Sequence, residues 1–295
     1  EDAAGRVAMD DAVIVHLITH GGVFHADDVF STAFLEYLFS KKAPNMVSYE
    51  IHRVNDYELD ALRETIEAAG DYYIVYDIGL GEFDHHQENS PVRDVVEGGG
   101  DIAIPYAAFG RLWLHYGHNL FHDTEIVSEI DRMFVSHLDA QDNGVYTNPL
   151  SFAIKAMNPN WDDDTDPTIC FNKAVIIAYN LLYRIFNNYR SKLNASEFID
   201  EALKSVEDGV MVLDRFVLYK HHTKGNPDVD FVIYPSARNS DWNIGTVITS
   251  DGGEFSNKCL LPSSWVEADD RYKPDGMTFC HKNRFIAAFK TKDQA

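Results

Sequence analysis

Two stretches of the chain crowd histidine and aspartate just past apolar runs. Residues 12–19 lead into His20-Gly21-Gly22-Val23-Phe24-His25-Ala26-Asp27-Asp28, and residues 72–78 lead through a short turn into Asp84-His85-His86. Imidazole and carboxylate together suit divalent transition metals such as Mn, Fe or Zn. The spacing of His20, His25 and Asp27 lets one loop aim three ligands at one point. Asp77, from the neighbouring run, could bridge two cations about 4 Å apart. His85 and Asp139 are candidates to complete the second metal's shell. Such a pair would generate hydroxide near neutral pH and clamp phosphoryl oxygens during in-line attack. The chemistry expected is metal-dependent hydrolysis of a phosphoester.

Each residue has a blander reading. Asp27 could cap a helix, and the histidines could be solvated loop residues. Asp77 is harder to dismiss, because a carboxylate in an apolar run wants a partner. What favours a site is that the whole set gathers at one sheet edge. Other groups carry less. His221-His222 reads as a solvated helix end, Trp161-Asp162-Asp163-Asp164 as a hydrated acidic loop, and His16 as a packed core histidine. The glycine run 98–100 lacks the Lys-Ser/Thr of a phosphate-binding loop.

The elements that must position these residues alternate. After the first strand, Val29, Phe30, Ala33, Phe34, Tyr37 and Leu38 recur at helical spacing, with Asp27 placed to cap that helix. Residues 46–54 read as a second strand. Leu59, Leu62 and Ile66 mark a short helix stopped by Gly70, and 72–78 read as the third strand. That βαβαβ order predicts a parallel sheet. His20, Asp56 and Asp77 then fall at the carboxyl ends of the strands, where open parallel sheets bind ligands.

Beyond the third strand, residues 97–101 read as a flexible loop. Helices are expected over 105–116 and 125–138, the second delivering Asp139-Ala140-Gln141-Asp142-Asn143-Gly144. The Asn-, Asp- and Pro-rich segment 146–167 reads as a transition between a domain of residues 1–150 and one of 151–295. Two long helices (168–190 and 195–221) and four strands (229–234, 242–249, 277–281 and 285–289) should follow, making the second domain α+β.

The 295 residues carry 25 Lys+Arg against 47 Asp+Glu, a net charge of −22, which excludes a broad basic face for gripping duplex. Binding to anionic membranes is disfavoured likewise, and no unbroken apolar run approaches the roughly 20 residues that cross a bilayer. Bound divalent cations would reverse the sign locally. Cys170, Cys259 and Cys280 form no CxxC pair, which points to a reducing compartment rather than a zinc knot. The chain opens on Glu1 rather than Met, so a removed targeting segment stays compatible with it.

These motifs resemble the DHH phosphoesterase superfamily and, more closely, its melanocyte proliferating gene exonuclease branch, formerly an uncharacterised protein family. The matching strings are residues 19–28, Tyr76-Asp77-Ile78-Gly79, Phe83-Asp84-His85-His86-Gln87, residues 138–144, Met157-Asn158-Pro159-Asn160-Trp161, Trp242-Asn243-Ile244, Leu261-Pro262-Ser263-Ser264-Trp265 and Phe279-Cys280-His281. The resemblance implies a DHH-phosphoesterase-like α/β fold of two domains with the active site in the cleft between them, and two Mn ions, with Mg, Co or Zn as alternatives. It implies that His20, His25 and Asp77 hold one metal, and that Asp27, Asp77, His85 and Asp139 hold the other. Asp84 would orient its neighbour, and His86 would face the scissile phosphate.

The implied activity is 3′-to-5′ exonucleolytic cleavage of single-stranded RNA or a short oligonucleotide, in nucleus or mitochondrion. A homodimer is carried as a candidate assembly. Lys155, His281, Arg284 and Lys290 are candidates for phosphate contacts. The chain departs from related pyrophosphatases in carrying His25 where they have a second Asp. It also lacks the glycine-rich carboxyl-terminal motif of RecJ-type nucleases. Two rivals stand beside this reading: a hydrolase of a small phosphoanhydride or dinucleotide, and a metal-binding module without catalysis.

Overall fold

Valine, isoleucine and leucine fill β1 (Val13–His20), and branched side chains favour the pleated strand. β1 runs parallel to β2 (Val47–Val54) on one side and to β3 (Tyr72–Val75) on the other. The register sets His20 beside Val54 and Ile18 beside Val75. α1 (Ala26–Lys42) and α2 (Asp56–Ala69) make the two crossovers, so the first part of the chain has the expected βαβαβ order. The computed structural model describes residues 13–42, 47–97, 100–253, 256–266, 271 and 273–295. The chain divides into two compact units, Glu1–Ile185 and Phe186–Ala295. The sequence reading put the transition at 150/151 instead.

In the first unit, α1 buries Val29, Phe30, Ala33, Phe34 and Tyr37 completely. Phe34 meets Phe109 edge-on at 5.8 Å, in an aromatic layer continued by Trp113. Asn55 and Glu58 form a capping box at the start of α2, whose Leu59 and Ile66 pack with Ile18 and Ile78. β3 is shorter than the expected 72–78. Asp77 takes a positive φ of 56°, and its N–H reaches the Phe83 carbonyl at 3.0 Å, so the chain leaves the sheet there.

β4 (Val92–Glu97) and β5 (Gly100–Pro105) pair as an antiparallel hairpin. Most of the loop expected at 97–101 is thus strand, and Gly98 and Gly99 lie outside the described residues. α3 (Ala108–Leu120) starts later than the expected residue 105, because Pro105 closes β5. The helix expected over 125–138 is three pieces: α4 (Thr124–Ile130), a π-helical turn (Asp131–Val135) and α5 (Ser136–Asp142). A π turn inside a helix often accompanies a functional site. α6 (Pro149–Lys155) lies in the segment read as transition.

α7 (Pro167–Asn194) begins in the first unit, where Phe171 and Tyr179 contact Phe24 and Tyr37. That packing moves the boundary between the units past residue 150. The stretch Pro167–Leu203 is long and apolar enough to cross a membrane by length and composition alone. This differs from the expectation, which weighed unbroken runs; Asn180 and Arg184 interrupt this one. Within the protein, Phe171, Ala174, Ala178 and Leu182 are fully buried at helical spacing, as in a core helix.

The second unit holds α8 (Ser196–Leu203), β6 (Val210–Val212), α9 (Lys220–Thr223), β7 (Phe231–Pro235), β8 (Trp242–Thr246), β9 (Met277–Cys280) and β10 (Ile286–Phe289). Its sheet runs β6-β7-β8-β10-β9, antiparallel except where β6 meets β7. The four expected strands are present. The single helix expected over 195–221 is not. α8 stops at Leu203, and Asp208 and Gly209 take positive φ of 48° and 79° to turn the chain into β6. Ile199, Met211, Val229, Val232 and Val247 form one fully buried core, and Ala287 and Phe289 anchor another with Leu261.

Candidate metal centre

His20 is the last residue of β1, and its ring is fixed from behind. Its Nδ1 lies 2.9 Å from the Gly21 carbonyl. A carbonyl can only accept, so Nδ1 carries the proton and Nε2 faces the site, the arrangement that makes a histidine a metal ligand. Nε2 stands 3.3 Å from both Asp28 Oδ2 and Asp77 Oδ2. Across the site, His85 has Nδ1 3.6 Å from Asp77 Oδ1 and Nε2 3.1 Å from Asp142 Oδ2. Ligand atoms of Asp77, Asp84, His85 and His86 lie within 4.8 Å of one another, as do those of Asp27, His85 and Asp142. The His25 ring centroid lies 6.1 Å from that of His20.

The loop between β1 and α1 is clamped at several points. Gly21 N–H donates to the Val54 carbonyl at 2.7 Å, and Arg53 donates to the Gly22 carbonyl at 2.8 Å. Asn158 embraces the Phe24 backbone from both sides, accepting from its N–H at 2.9 Å and donating to its carbonyl at 2.8 Å. Neither Asn158 nor Arg53 stood among the expected site residues. Their signal is visible only once the loop is folded.

Asp27 and Asp28 divide the work otherwise than the spacing suggested. Asp28, not Asp27, caps α1, with its Oδ1 accepting from the His25 and Val29 N–H groups at 2.9 Å. Asp27 instead accepts from Ala108 and Phe109 N–H at 2.8 and 2.9 Å, so it caps α3 from a distance of 81 residues. A carboxylate there meets the positive end of the helix dipole.

Asp139 and Asp142 sit one turn apart on α5. Asp142 faces His85, whereas Asp139 is fully buried and accepts from Arg93 Nη1 at 2.6 Å. Arg93 also contacts Asp131 in the π turn and lies 4.6 Å from the centre of the Tyr106 ring. Gly110 lets α3 close on this carboxylate: a Cβ there would stand 2.2 Å from Asp139 Oδ2. Asp142 and Arg93 were not expected in the site, since sequence spacing does not tell which of Asp139 and Asp142 turns inward.

Asp84 anchors His86. Its Oδ1 accepts from His86 Nδ1 at 2.7 Å and from the His86 N–H at 3.1 Å, and Oδ2 accepts from Leu80 N–H at 2.7 Å. The His86 ring stacks on His85 with centroids 4.1 Å apart, and its side chain is 59% exposed. Lys155 ends α6, and its charge is among those that act on His25. His281, Arg284 and Lys290 belong to the second unit. The His281 ring meets that of Phe285 at a tilt, with centroids 4.3 Å apart, Arg284 donates to the Leu261 carbonyl at 3.4 Å, and the Lys290 side chain is exposed.

The electrostatics are those of a site short of cations. Burial drives Asp28 up to about 7, with the Asp77 charge adding to it and His20 opposing. Burial likewise lifts Asp139 to about 7 against the pull of Arg93. Asp27 is held well above the usual carboxylate range by burial and by Asp142, Asp77 and Asp139. Burial alone would lower His20, but its hydrogen bond to Asp77 and the charges of Asp28 and Asp77 outweigh this and hold it at about 9. Burial lowers His25. Asp28 Oδ2, Asp77 Oδ1, His85 Nδ1 and Asp139 Oδ1 are buried without a hydrogen-bond partner among the described residues. Buried polar groups in a native protein are normally satisfied. The orphaned Asp77 Oδ1 and His85 Nδ1 face each other at 3.6 Å, an arrangement that fits a divalent cation.

Fold and site together define a mixed α/β protein with a histidine–aspartate cluster, suited to divalent metal, at the carboxyl edge of a parallel sheet. The chain belongs to the MYG1 exonuclease family, described as Uncharacterised protein family (UPF0160), whose model matches residues 16–295. This is the family that the motif strings resemble. Among its relatives are the MYG1 proteins of Saccharomyces cerevisiae (23% identical over 98% of this chain and 95% of the relative), Schizosaccharomyces pombe (24%, over 96% and 95%) and Dictyostelium discoideum (24%, over 95% and 93%). The family's name marks it as one of nucleases, hence hydrolases. No solved structure matches the chain at comparable significance.

Proposed function

We propose that the chain is a metal-dependent phosphodiesterase with a DHH-type active site that removes nucleotides from the 3′ end of single-stranded RNA. The observation that carries this reading is the convergence of His20, Asp28, Asp77, His85 and Asp142 at the sheet edge, with the orphaned atoms of Asp28, Asp77 and His85. His20, Asp28 and Asp77 would hold one cation, with His25 beside them. Asp77, Asp27, His85 and Asp142 would hold a second. Asp139 would act from behind, through Arg93. When bound, two such cations activate a water and neutralise phosphoryl oxygens. Manganese is the ion that the family resemblance implies, and a mixed imidazole and carboxylate shell accepts it.

The chain's own part is positioning. Asp84 holds Nδ1 of His86 and so leaves Nε2 directed outward, where it can donate to a phosphate oxygen as charge develops. Lys155 supplies a positive charge beside the cluster. By the same family reading the protein works in the nucleus or the mitochondrion. The net charge of −22 favours a second reading, a short oligonucleotide or small phosphoanhydride gripped by the metals alone.

The test is release of mononucleotides from a 3′-labelled single-stranded RNA by the Mn-loaded chain, run beside pyrophosphate and a dinucleotide. Release from the RNA that Asp77→Ala abolishes supports the proposal. Faster turnover of the small substrates moves the reading to them. Absence of turnover on all three, with Asp77→Ala indistinguishable from wild type, overturns it.

A further inference from the structure

A second constellation lies on the same sheet, away from its carboxyl edge. His16 of β1, Glu50 and His52 of β2, and Asp71 just before β3 come from three neighbouring strands and were not part of the expected site. His16 read as a packed core histidine, and it is buried, but its neighbours are polar. Nδ1 lies 2.8 Å from His52 Nε2 and 3.7 Å from Glu50 Oε2, and His52 Nε2 lies 3.7 Å from the same oxygen. Ligand atoms of the three fall within 4.8 Å of one another. His16 is four residues before His20, about 13 Å at strand spacing, so the two clusters are separate.

We infer that His16, Glu50 and His52 form a second metal site, for a zinc-class divalent ion, that ties β1 to β2. Ligand atoms about 2.0 to 2.2 Å from zinc stand about 3.3 to 3.6 Å apart at the corners of a tetrahedron. The three observed separations of 2.8, 3.7 and 3.7 Å bracket that edge. Two imidazoles and one carboxylate make a borderline donor set that selects zinc over magnesium or calcium. The Glu50 side chain is 57% exposed and that of His52 25%, so the fourth position opens to solvent and an ion can enter.

A further observation points to an ion rather than to a plain imidazole pair. The other nitrogen of His16, Nε2, is buried and has no hydrogen-bond partner among the described residues. Asp71 Oδ2 stands 3.6 Å from it. A metal-bound histidine characteristically donates its second N–H to a carboxylate, which fixes the tautomer and raises the ligand's basicity. Asp71 is placed for that role once its side chain closes by a few tenths of an ångström. Glu50 and Asp71 together balance the two charges of the ion.

The test uses the full chain, stripped with chelator and titrated with Zn2+ and with Co2+ as its spectroscopic substitute. Asp77→Asn serves as background, so that the His20 site contributes least. The expected result is tetrahedral Co2+ absorption in Asp77→Asn that disappears when Glu50→Gln or His52→Gln is added, with loss of one equivalent of tightly held zinc. Glu50 is exposed and His52 half-buried, and neither belongs to the apolar core, so both substitutions leave that core intact. Asp71→Asn should weaken zinc about tenfold or more without abolishing it. Zinc equivalents and Co2+ spectra unchanged by Glu50→Gln and by His52→Gln would overturn the inference and leave the two imidazoles as a hydrogen-bonded pair. Failure of the Asp77 substitution to change metal content would count against the proposed active site alone.

Discussion

The two units handle polar groups withdrawn from water in opposite ways. In the second unit, the half-buried Lys258 is fully provided for. Its Nζ donates to the carbonyls of Asn226, Pro227 and Val229 at 3.0, 2.8 and 3.0 Å and pairs with Asp230 at 2.9 Å. In the first unit, Asp28, Asp77, Asp139 and His85 each keep a buried atom without a partner. Among the described residues, all buried side-chain nitrogens and oxygens without a partner lie in the first unit. A satisfied charge holds a fold together. An unsatisfied one costs about 1 to 3 kcal/mol or more, and a protein that keeps several in one place has a use for them. The contrast teaches where to look for chemistry without reference to any family.

The largest test of that contrast sets Asp77 against Lys258. Asp77→Ala should cut metal-dependent hydrolysis at least about 1000-fold, some 4 kcal/mol of transition-state stabilisation, with little loss of thermal stability. Lys258→Ala should do the reverse, lowering the melting temperature and leaving turnover per folded molecule unchanged. Equal effects of both on activity would dissolve the distinction. Next in size is Arg93→Met. It strands Asp139 and Asp131 beside an apolar side chain, and breaking a buried pair of this kind costs about 3 to 5 kcal/mol, readable by denaturant titration.

A third test follows stability with pH. The folded chain holds Asp28 and Asp139 at about 7, above the roughly 3.9 of an unfolded Asp. It therefore binds more protons than the unfolded chain across that interval, and stability falls as pH rises through it. His20, held at about 9, has the same sign: its contribution is complete below about 6.5 and is lost as pH climbs through 9. The metal-free chain should thus melt at falling temperature from mild acid to pH 9. Mn2+ should restore several degrees, most at the alkaline end. A melting temperature that rises over this range would show that the carboxylates are not short of cations. The smallest effect expected is that of Asn158→Ala, which frees the Phe24 backbone. Metal affinity should drop about tenfold, as for loss of an outer support, measured by Mn2+ titration.

Much of the first unit was legible from residue order. The alternation of apolar runs with the helical spacing of Val29 to Leu38 yields the parallel sheet, because period and segment length specify element type locally. The positions of His20 and Asp77 at strand ends followed from that. The second unit's four strands were legible for the same reason. Its helix beyond Leu203 was misjudged because the apolar spacing was followed past Asp208-Gly209, a dipeptide that favours turns with positive φ. The split of the 125–138 helix by a π turn has no signal in the local pattern, and its Asp131 meets Arg93, a residue 38 positions away. Asp142 was passed over because Asp139 lies one turn away on the same helix and matches a motif equally well.

Residue types and local periodicity were enough to determine that a parallel sheet would bring imidazoles and carboxylates to its carboxyl edge. They determined also that the chemistry there would suit a divalent metal. Tertiary structure alone decided which aspartate does what: Asp28 caps its own helix, Asp27 caps one 81 residues away, Asp142 meets His85, and Asp139 turns to Arg93. A carboxylate is chemically the same at each position. Its role is set by which N–H, guanidinium or imidazole lies within 3 to 4 Å, and those partners come from elements far apart in the chain.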